Sequence, residues 1–321
     1  MKLIIQIPCY NEEKYLPIVL KQLPRRVEGC TEVEWLVIND GSVDETVAVA
    51  KENGVNHVVS FNKNRGLAKA FMAGLEKCIE LGADVIVNID ADNQYNAHDI
   101  PKLVEPILSG DADIVVGERP IRDIEHFSFI KKNLQKIGSY FVRKISKTSI
   151  PDTTSGFRAI SINAAMNINV FNNYTYTLET IIQAGRKNMA IISVPIGVNQ
   201  KLRPSRLIKS IPAYIVRSLV TMTRIFVVYK PFRFFTSIGV FLFSLGLVLG
   251  IRFLVFYFSG QGSGHVQSLI LTGIFLGMGF QTMLVAFLAD LLAVNRSLSE
   301  DIQYKLRQIH FIRSNRRNGI Y

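Results

Sequence analysis

Two aspartates and a glutamine stand close together directly after an apolar run of the chain. The segment reads Val85-Ile-Val-Asn-Ile-Asp-Ala-Asp-Asn-Gln94, so Asp90 and Asp92 are two residues apart and Gln94 follows two further on. On an extended backbone, side chains at this spacing lie on the same side. Hard oxygen ligands that converge at a strand end favour Mg²⁺ or Mn²⁺ carried by a phosphate substrate. The same pattern also occurs in solvated turns, so the rest of the chain must decide between the two.

Short β-rich runs alternate with helical patterns through the first part of the chain. The predicted strands are Leu3–Ile7, Trp35–Asn39, His57–Phe61, Val85–Ile89 and Ile114–Gly117. The predicted helices between them are Tyr15–Leu23, Thr46–Lys51, Leu67–Cys78 and Ile100–Leu108, and Ser42-Val-Asp-Glu45 is a predicted capping box for the second helix. Regular alternation predicts an α/β fold with right-handed crossovers and a mostly parallel sheet.

The distinctive polar residues follow the ends of four predicted strands. They are Pro8–Glu13, Asp40–Ser42, Asn62–Gly66 and Asp90–Gln94. Ligands of such sheets bind outside the carboxyl ends of the strands, so these four segments are predicted to face one cleft. The first strand is not followed by a dinucleotide-binding glycine fingerprint, and the sequence has no P-loop, which argues against nicotinamide, flavin, kinase and ATPase chemistry.

Charge is divided unevenly along a chain whose formal net charge is +11. Acidic residues outnumber basic ones up to Pro120, whereas Lys and Arg dominate from Ile121 onward. A basic half predicts an anionic partner. Nucleic acid would be the usual candidate, but hydrophobic spans lie inside this half, so a membrane and an anionic lipid are predicted instead.

Two spans of about 20 residues, Phe234–Phe253 and Ser268–Phe287, are long enough as helices to match a bilayer core. A buried core helix is the alternative for either span, and two spans in tandem disfavour it. The connector Ser259–Gln267 has no Lys or Arg, whereas basic residues flank both spans on their other sides. The positive-inside rule therefore predicts an external connector and cytoplasmic termini. Three scattered cysteines fit reduced cytosolic thiols.

Two basic amphipathic segments precede the first span. Phe127–Lys147 and Leu207–Lys230 alternate apolar side chains with Lys and Arg. This pattern predicts helices that lie on an anionic membrane surface. An ordinary soluble amphipathic helix with a solvated charged face is the alternative.

Several motifs, in order, resemble glycosyltransferase family 2. They are Ile7-Pro-Cys-Tyr-Asn-Glu12, Ile38-Asn-Asp-Gly-Ser42, Asp90-Ala-Asp-Asn-Gln94 and Thr154-Ser-Gly-Phe-Arg158. The resemblance covers roughly Met1–Leu207 and is to the dolichol-phosphate mannose synthase-like branch, which includes bacterial polyprenyl-phosphate glycosyltransferases. It implies a GT-A (nucleotide-diphospho-sugar transferase) fold, here with juxtamembrane amphipathic helices and two transmembrane helices. It also implies inverting transfer of a sugar from a nucleotide-sugar donor to a polyprenyl phosphate, with Mg²⁺ or Mn²⁺.

The resemblance also implies roles for individual residues. The nucleoside would be bound by Pro8, Tyr10, Glu12 and Asp40, with Asp90 on the nucleotide side. The metal would be held by Asp92 and Gln94, with Asp90 as a further candidate ligand. The phosphates would be contacted by Arg119, Ser155, Arg158, Arg203, Ser205 and Arg206. The predicted catalytic residues are Asp92, Arg119 and Arg158.

These expectations divide the chain into five parts. The predicted parts are a nucleotide-sugar and metal-binding half at 1–120, an acceptor-binding half at 121–206, a juxtamembrane segment at 207–231, a two-helix anchor at 232–292 and a basic cytoplasmic tail at 293–321. A UDP-sugar is the favoured donor, GDP-mannose is the alternative, and homo-oligomers are expected from the family. Gly273, Gly277 and Gly279 in the second span would let helices approach closely.

Two other functions compete with this prediction. A processive polysaccharide synthase would share the Asp-x-Asp motif, but it would also carry a Gln-x-x-Arg-Trp motif, and the only tryptophan here is Trp35. A catalytically silent membrane scaffold would have no chemical reason to keep ligand-type residues at every strand end.

Overall fold

The computed structural model describes residues 1–120, 138–140, 142–170, 176–200, 216, 220, 223–224 and 226–317. The chain forms two compact units. The first comprises Met1–Ser218 together with Glu300–Tyr321, and the second comprises Leu219–Ser299. The segments 127–137, 141 and most of 207–225 belong to the predicted amphipathic helices and lie outside the described residues.

The first unit is built on a seven-stranded sheet with the order β3-β2-β1-β4-β6-β5-β7. The strands are β1 Lys2–Cys9, β2 Glu32–Asn39, β3 His57–Ser60, β4 Val85–Asn88, β5 Ile114–Glu118, β6 Arg158–Ser161 and β7 Ile191–Pro195. All pairs are parallel except those of β6, which runs antiparallel to both β4 and β5. The predicted mostly parallel sheet and its first five strands are confirmed, whereas β6 and β7 were not predicted from the sequence.

Helices cover both faces of this sheet, as the apolar patterns predict. They are α1 Leu16–Gln22, α2 Thr46–Glu52, α3 Leu67–Glu80, α4 Ile100–Leu108, α5 Ile162–Asn167 and α6 Thr177–Arg186. Leu16 and Leu20 of α1 and Leu103 of α4 share one buried cluster with alternate residues of β1 and β4. Phe71 and Leu75 of α3 are fully buried as well. Burial of these apolar faces fixes the strands, and hence the position of the loops at the strand ends.

The predicted capping box before α2 is wrong. The helix begins at Thr46, its N-cap position is Glu45, and no side chain caps it there. The Ser42 hydroxyl instead accepts a hydrogen bond from the Asn11 backbone N–H at 2.9 Å. The sequence pattern predicted a local capping motif, but Ser42 instead joins the loop after β2 to the loop after β1.

The second unit contains α7, Pro231–Phe258, and most of α8, Val266–Arg317. Both helices are long and apolar enough to cross a membrane, and only 11% and 17% of their most apolar stretches are buried. A core helix of a soluble protein would be mostly buried, so this exposure favours the predicted spans. Gly239 and Gly279 allow close backbone approach, since a Cβ on Gly279 would lie 2.9 Å from the Gly239 carbonyl oxygen.

The C-terminal part of α8, from Glu300 onward, belongs to the first unit. Arg307 donates to the carbonyl oxygens of Met166 and Ile168 at 3.1 and 2.8 Å, and Glu300 lies 3.4 Å from the Lys187 ammonium. The segment predicted as a basic tail therefore includes a helical part whose Arg307 supplies hydrogen-bond donors to backbone carbonyl groups at the end of α5, where a helix leaves such groups unpaired.

Candidate active site

The loops after β1 and β2 are fastened to each other by hydrogen bonds. Asn11 Oδ1 accepts from the Val43 N–H at 2.9 Å, and the Thr46 hydroxyl accepts from the Glu12 N–H at 2.9 Å. Asn11 adopts a positive φ of 54°, a conformation that asparagine tolerates better than most residues. The two loops that carry the predicted nucleoside-binding residues thus form one surface at the carboxyl edge of the sheet.

Pro8, Tyr10 and Glu12 stand at the start of that surface. Pro8 is a buried residue of β1 and pairs with Ile38 of β2. Tyr10 is 40% exposed, whereas Glu12 is buried. A partly exposed ring next to the strand ends is suited to contact a flat ligand, and the roles of the three residues remain predictions.

Asp40 holds the N-terminus of α3. Its two carboxylate oxygens accept hydrogen bonds from the backbone N–H groups of Arg65 and Gly66, at 2.7 and 2.9 Å. Gly41 has a φ of +70°, and a Cβ there would lie 2.4 Å from the Lys63 carbonyl carbon, so only glycine fits this close approach. The carboxylate retains further lone pairs, and its predicted contact with a base remains a prediction.

The acidic residues after β4 lie in a turn and not on an extended strand. β4 ends at Asn88, Ala91 and Asp92 are in a turn, and Asn93 has a positive φ of 59°. Asp92 Oδ1 accepts from the Gln94 N–H at 3.1 Å, which fixes the carboxylate within this turn. The expectation that strand alternation aligns the three side chains is therefore wrong, because the backbone changes direction between them.

Asp90 and Asp92 nevertheless interact. Burial and the negative charge of Asp92 raise the pKa of Asp90 to about 7, while Arg119 and Arg158 act in the opposite direction. The Asp90 residue as a whole is partly exposed. A cation placed beside this pair would favour the charged carboxylate.

Gln94 is held through its backbone. Its carbonyl oxygen accepts from the Asn199 N–H at 3.0 Å, and Asn199 Nδ2 donates to the Tyr95 carbonyl oxygen at 3.1 Å. Gln94 is partly exposed. The segment after β7 thus supports the acidic turn, which the sequence did not indicate.

Arg119 follows β5 and forms a buried bidentate ion pair with Asp152. Nε and Nη2 of Arg119 lie 2.6 and 3.0 Å from the two carboxylate oxygens, and Nη2 also donates to the Thr154 hydroxyl at 2.8 Å. Burial acts to raise the pKa of Asp152, but the charge and hydrogen bonds of Arg119 hold that pKa below its ordinary value. Burial alone would lower the pKa of Arg119. The electrostatic interactions with Tyr95 and Asp152 outweigh burial and raise that pKa above its ordinary value. Sequence reasoning missed Asp152, although it stands only two residues before the Thr154–Arg158 motif.

Arg158 has a different environment from the one predicted. It is fully buried, and its guanidinium donates to the carbonyl oxygens of Ser155 and Thr153, at 2.8 and 3.2 Å, and to the Thr180 hydroxyl. These contacts support the loop before β6. The geometry gives Arg158 a role in positioning that loop, and its predicted contact with a phosphate remains a prediction.

Ser155 lies inside the loop that Arg158 supports. It is fully buried, and its hydroxyl oxygen has no hydrogen-bond partner within the part of the chain that the structure describes. A buried hydroxyl without a partner is costly unless a ligand or water supplies one. This observation agrees with the predicted role of Ser155 at a phosphate. The remaining predicted phosphate ligands, Arg203, Ser205 and Arg206, lie outside the described residues.

The carboxylates fit a divalent cation that is completed by a substrate. Among the described residues, no three His, Cys, Asp or Glu side chains form a group that could hold a metal by themselves. The predicted ligands Asp92 and Gln94, with Asp90 as a further candidate, would supply hard oxygen atoms, and Mg²⁺ is commonly bound by one or two carboxylates together with substrate phosphates. The donor set therefore suits a metal that arrives with, or is completed by, a diphosphate.

The family model of glycosyl transferase family 2 matches residues 4–168. The chain belongs to this family. The matched part of this family 2 glycosyltransferase spans α1 to α5 and includes the turn at Asp90–Gln94, so the predicted family is confirmed.

Relatives of this family 2 glycosyltransferase include two that act on lipid phosphates by name. It is 28% identical over 218 residues to the undecaprenyl-phosphate mannosyltransferase of Micrococcus luteus, covering 64% of this chain and 88% of that protein. It is 30% identical over 212 residues to the UDP-N-acetylglucosamine–dolichyl-phosphate N-acetylglucosaminyltransferase of Methanococcus voltae, covering 59% and 82%. Both names agree with the predicted polyprenyl-phosphate branch.

A solved structure confirms the predicted GT-A-like fold. Glucosyl-3-phosphoglycerate synthase of Mycobacterium tuberculosis, crystallised with Mn²⁺, UDP and glucosyl-3-phosphoglycerate, superposes with a TM-score of 0.53 at 18% identity. The match covers 69% of this chain and 79% of that structure.

In this family 2 glycosyltransferase, the sheet edge brings opposite charges together. Asp90 and Asp92 follow β4, while Arg119 follows β5, and Asp90 and Arg119 each shift the pKa of the other. A cation bound by the carboxylates and the oriented guanidinium of Arg119 could each neutralise part of the charge of a diphosphate.

Proposed function

We propose that this enzyme transfers a sugar from a nucleotide-diphosphate sugar to a membrane polyprenyl phosphate and inverts the anomeric centre. The relatives from Micrococcus luteus and Methanococcus voltae, named for transfer to undecaprenyl and dolichyl phosphate, support the acceptor class. A UDP-sugar is the favoured donor, since the second name contains UDP-N-acetylglucosamine, and GDP-mannose is the alternative.

One observation carries the proposal. Asp90 and Asp92 follow the end of β4, and the guanidinium of Arg119, oriented by Asp152, follows the end of β5, so both stand at the same edge of the sheet. Breaking the bond between the sugar and the diphosphate leaves negative charge on the departing nucleotide, and catalysis requires that this charge be stabilised. In the proposed mechanism, Asp92 and Gln94, with Asp90 as a further candidate ligand, would hold Mg²⁺ or Mn²⁺, and the metal would supply Lewis-acid stabilisation of the departing diphosphate. Arg119 contributes a second, fixed positive charge.

The acceptor needs little activation. A phosphate monoester has a second pKa near 6, so a polyprenyl phosphate is largely a dianion at neutral pH and already nucleophilic. A general base is therefore not required. Direct attack of this anion on the face opposite the leaving diphosphate inverts the configuration, and the protein mainly positions the two substrates and neutralises their charge.

The membrane-spanning character fits a lipid acceptor. The two apolar helices of the second unit would hold the enzyme in the bilayer, with the catalytic unit and both termini in the cytoplasm by the positive-inside rule. In this division, 1–120 binds donor and metal, 121–206 binds the acceptor, 207–231 lies at the interface and 232–292 anchors the chain. The prediction of a separate tail at 293–321 changes, because Glu300 and Arg307 belong to the first unit and contact Lys187 and Met166 there. Self-association remains a family expectation.

The test uses membranes that contain the full-length protein. They are incubated with UDP-glucose, UDP-N-acetylglucosamine, UDP-galactose or GDP-mannose, each with a short polyprenyl phosphate, and lipid products are identified by mass spectrometry. We expect one donor to give a polyprenyl-phosphate hexose of the matching mass. Nuclear magnetic resonance of the purified product then reports the anomeric configuration, which inversion requires to be opposite to that of the donor.

Matched variants distinguish a change at the proposed site from a general effect of replacing an aspartate by asparagine. Asp92→Asn should lower product formation by about 10² to 10³-fold, whereas Asp111→Asn should not, because Asp111 is an exposed acid at the opposite, amino-terminal edge of the sheet before β5. Chelation by EDTA should stop transfer, and added Mg²⁺ or Mn²⁺ should restore it. Transfer at the wild-type rate in Asp92→Asn, or release of free sugar at the same rate without the lipid phosphate, would contradict the proposal.

A further inference from the structure

A row of polar side chains crosses the buried sheet next to the site. Gln6 of β1 pairs in register with Asn88 of β4, and Asn88 pairs with Arg158 of β6. All three are fully buried. Their neighbours on the same face, Ile4 and Ile86, are buried apolar residues, so the core of this face does not require polar side chains for packing.

The row is hydrogen bonded to the loop before β6. Asn88 Oδ1 accepts from Gln6 Nε2 at 2.9 Å. Asn88 Nδ2 donates to the Gly156 carbonyl oxygen at 2.9 Å and to the Tyr176 hydroxyl at 2.8 Å. The Tyr176 hydroxyl donates in turn to the same Gly156 carbonyl at 3.2 Å, and its ring stacks on Phe71 at 3.9 Å between centroids.

Gly156 is consequently held at both ends of its peptide. Its N–H donates to the Tyr95 hydroxyl at 2.9 Å, while its carbonyl oxygen accepts from Asn88 and Tyr176. A Cβ on Gly156 would lie 2.8 Å from Asp90 Oδ2 and 2.8 Å from the Tyr176 hydroxyl oxygen. The acidic turn and the loop that carries Ser155 therefore approach each other at a glycine with no room for a side chain.

We propose that Asn88, Tyr176 and Tyr95 are positioning residues that clamp Gly156 and thereby set the distance between Asp90 and the Ser155 loop. Buried polar groups cost free energy unless every partner is in place, and a satisfied network is correspondingly rigid. The proposal rests on the proposed function, because in it Asp90 lies on the donor and metal side and Ser155 on the acceptor side. A fixed separation between the two sides is what a direct displacement needs.

The clamp can be loosened from each end by a mild substitution. Tyr176→Phe keeps the ring that stacks on Phe71 and removes one donor to the Gly156 carbonyl. Tyr95→Phe keeps the ring that packs on Phe157 and removes the acceptor of the Gly156 N–H. Tyr229→Phe is the matched control, since it removes a hydroxyl that accepts from Arg296 at 3.0 Å in the second unit.

Hydrogen–deuterium exchange of residues 152–158 measures the clamp without using turnover. We expect both clamp variants to speed this exchange by about tenfold, which is the effect of losing a typical hydrogen bond, and to leave exchange of β1 and β2 unchanged. In transfer assays we expect kcat to fall by about tenfold or more while KM for the nucleotide sugar stays within about twofold, because the hydrogen bonds that hold Asn11, Glu12 and Asp40 are left in place by both variants. Tyr229→Phe should behave as the wild type in both measurements.

The outcomes are distinct. Unchanged exchange of 152–158 in both clamp variants would overturn the proposal. The proposal would also be overturned if the kcat of both clamp variants equalled that of the wild type, or fell only in proportion to the fraction of folded protein. A wild type that transfers no sugar to polyprenyl phosphate would contradict the proposed function instead, and the exchange data would still report on the clamp.

Discussion

The ion pair between Arg119 and Asp152 offers a sharp test of the site. Asp152→Asn keeps the size of the side chain but removes the negative charge that Arg119 contacts at 2.6 and 3.0 Å. The amide also turns one of the two acceptors into a donor that faces a guanidinium N–H. Arg119 would remain charged in a site where it is only 9% exposed.

The expected loss of stability follows from this burial. Removing one partner of a buried pair costs about 3 to 5 kcal/mol, because the remaining charge is uncompensated. We expect the lower end of that range, about 3 kcal/mol, since the Thr154 hydroxyl still accepts from Arg119. For a folded unit of about 200 residues this corresponds to a melting temperature lower by roughly 6 to 12 °C. Transfer activity should fall by about a hundredfold, because a guanidinium displaced by about 1 Å would no longer be placed for its proposed contact with the leaving phosphate.

A double variant separates the two effects. In Arg119→Met/Asp152→Leu both charges are replaced by apolar side chains, so thermal unfolding should return to within about 1 kcal/mol of the wild type. Its transfer activity should stay lost, because the positive charge at the diphosphate is missing. The reasoning is refuted if Asp152→Asn melts at the wild-type temperature, or if the double variant transfers sugar at the wild-type rate.

Three further predictions concern the metal, acid stability and the C-terminal helix. Asp92→Asn should lower kcat by about 10² to 10³-fold, measured by product mass at saturating Mn²⁺, and a wild-type rate would exclude Asp92 as a ligand. The pKa of Asp152 lies below its ordinary value of 3.8, so its stabilising effect is complete above pH 4 and is lost as the pH falls through the folded-state pKa. Melting temperatures of wild type and Asp152→Asn should therefore converge in strong acid, and a gap that stays constant would contradict this. Arg307→Ala should destabilise the first unit by about 2 kcal/mol in thermal unfolding, because the carbonyl groups of Met166 and Ile168 lose a charged hydrogen-bond donor. An unchanged melting temperature would show that this contact does not contribute to stability.

Local patterns predicted residues 1–120 well. The first five strands and the four helices between them follow from apolar periodicity, and the motifs at the ends of β1, β2 and β4 meet at one edge because parallel strands place their carboxyl ends together. Such features depend on short stretches of sequence, so a sequence is enough to reveal them.

The part of the first unit after residue 120 was predicted less well. β6 and β7 were missed because β6 is a short antiparallel strand whose first residue is the buried Arg158. Asp152 carries no motif of its own, and its importance appears only through its contact with Arg119. Asn88 was read as part of an apolar strand, although it is the centre of a hydrogen-bonded network.

The sequence alone determined the class of chemistry, because two acids after a buried strand, ordered motifs and two long apolar spans are properties of residue type and spacing. Tertiary structure decided how the acids are presented, since β4 ends at Asn88 and the chain enters a turn at Ala91 and Asp92, in which Asn93 has a positive φ. It also decided that Arg158 supports a loop and that Gly156 touches Asp90. The physical reason is that periodicity reports which face of an element is buried, whereas hydrogen-bond partners distant in sequence are chosen only when the folded chain brings them within about 3 Å.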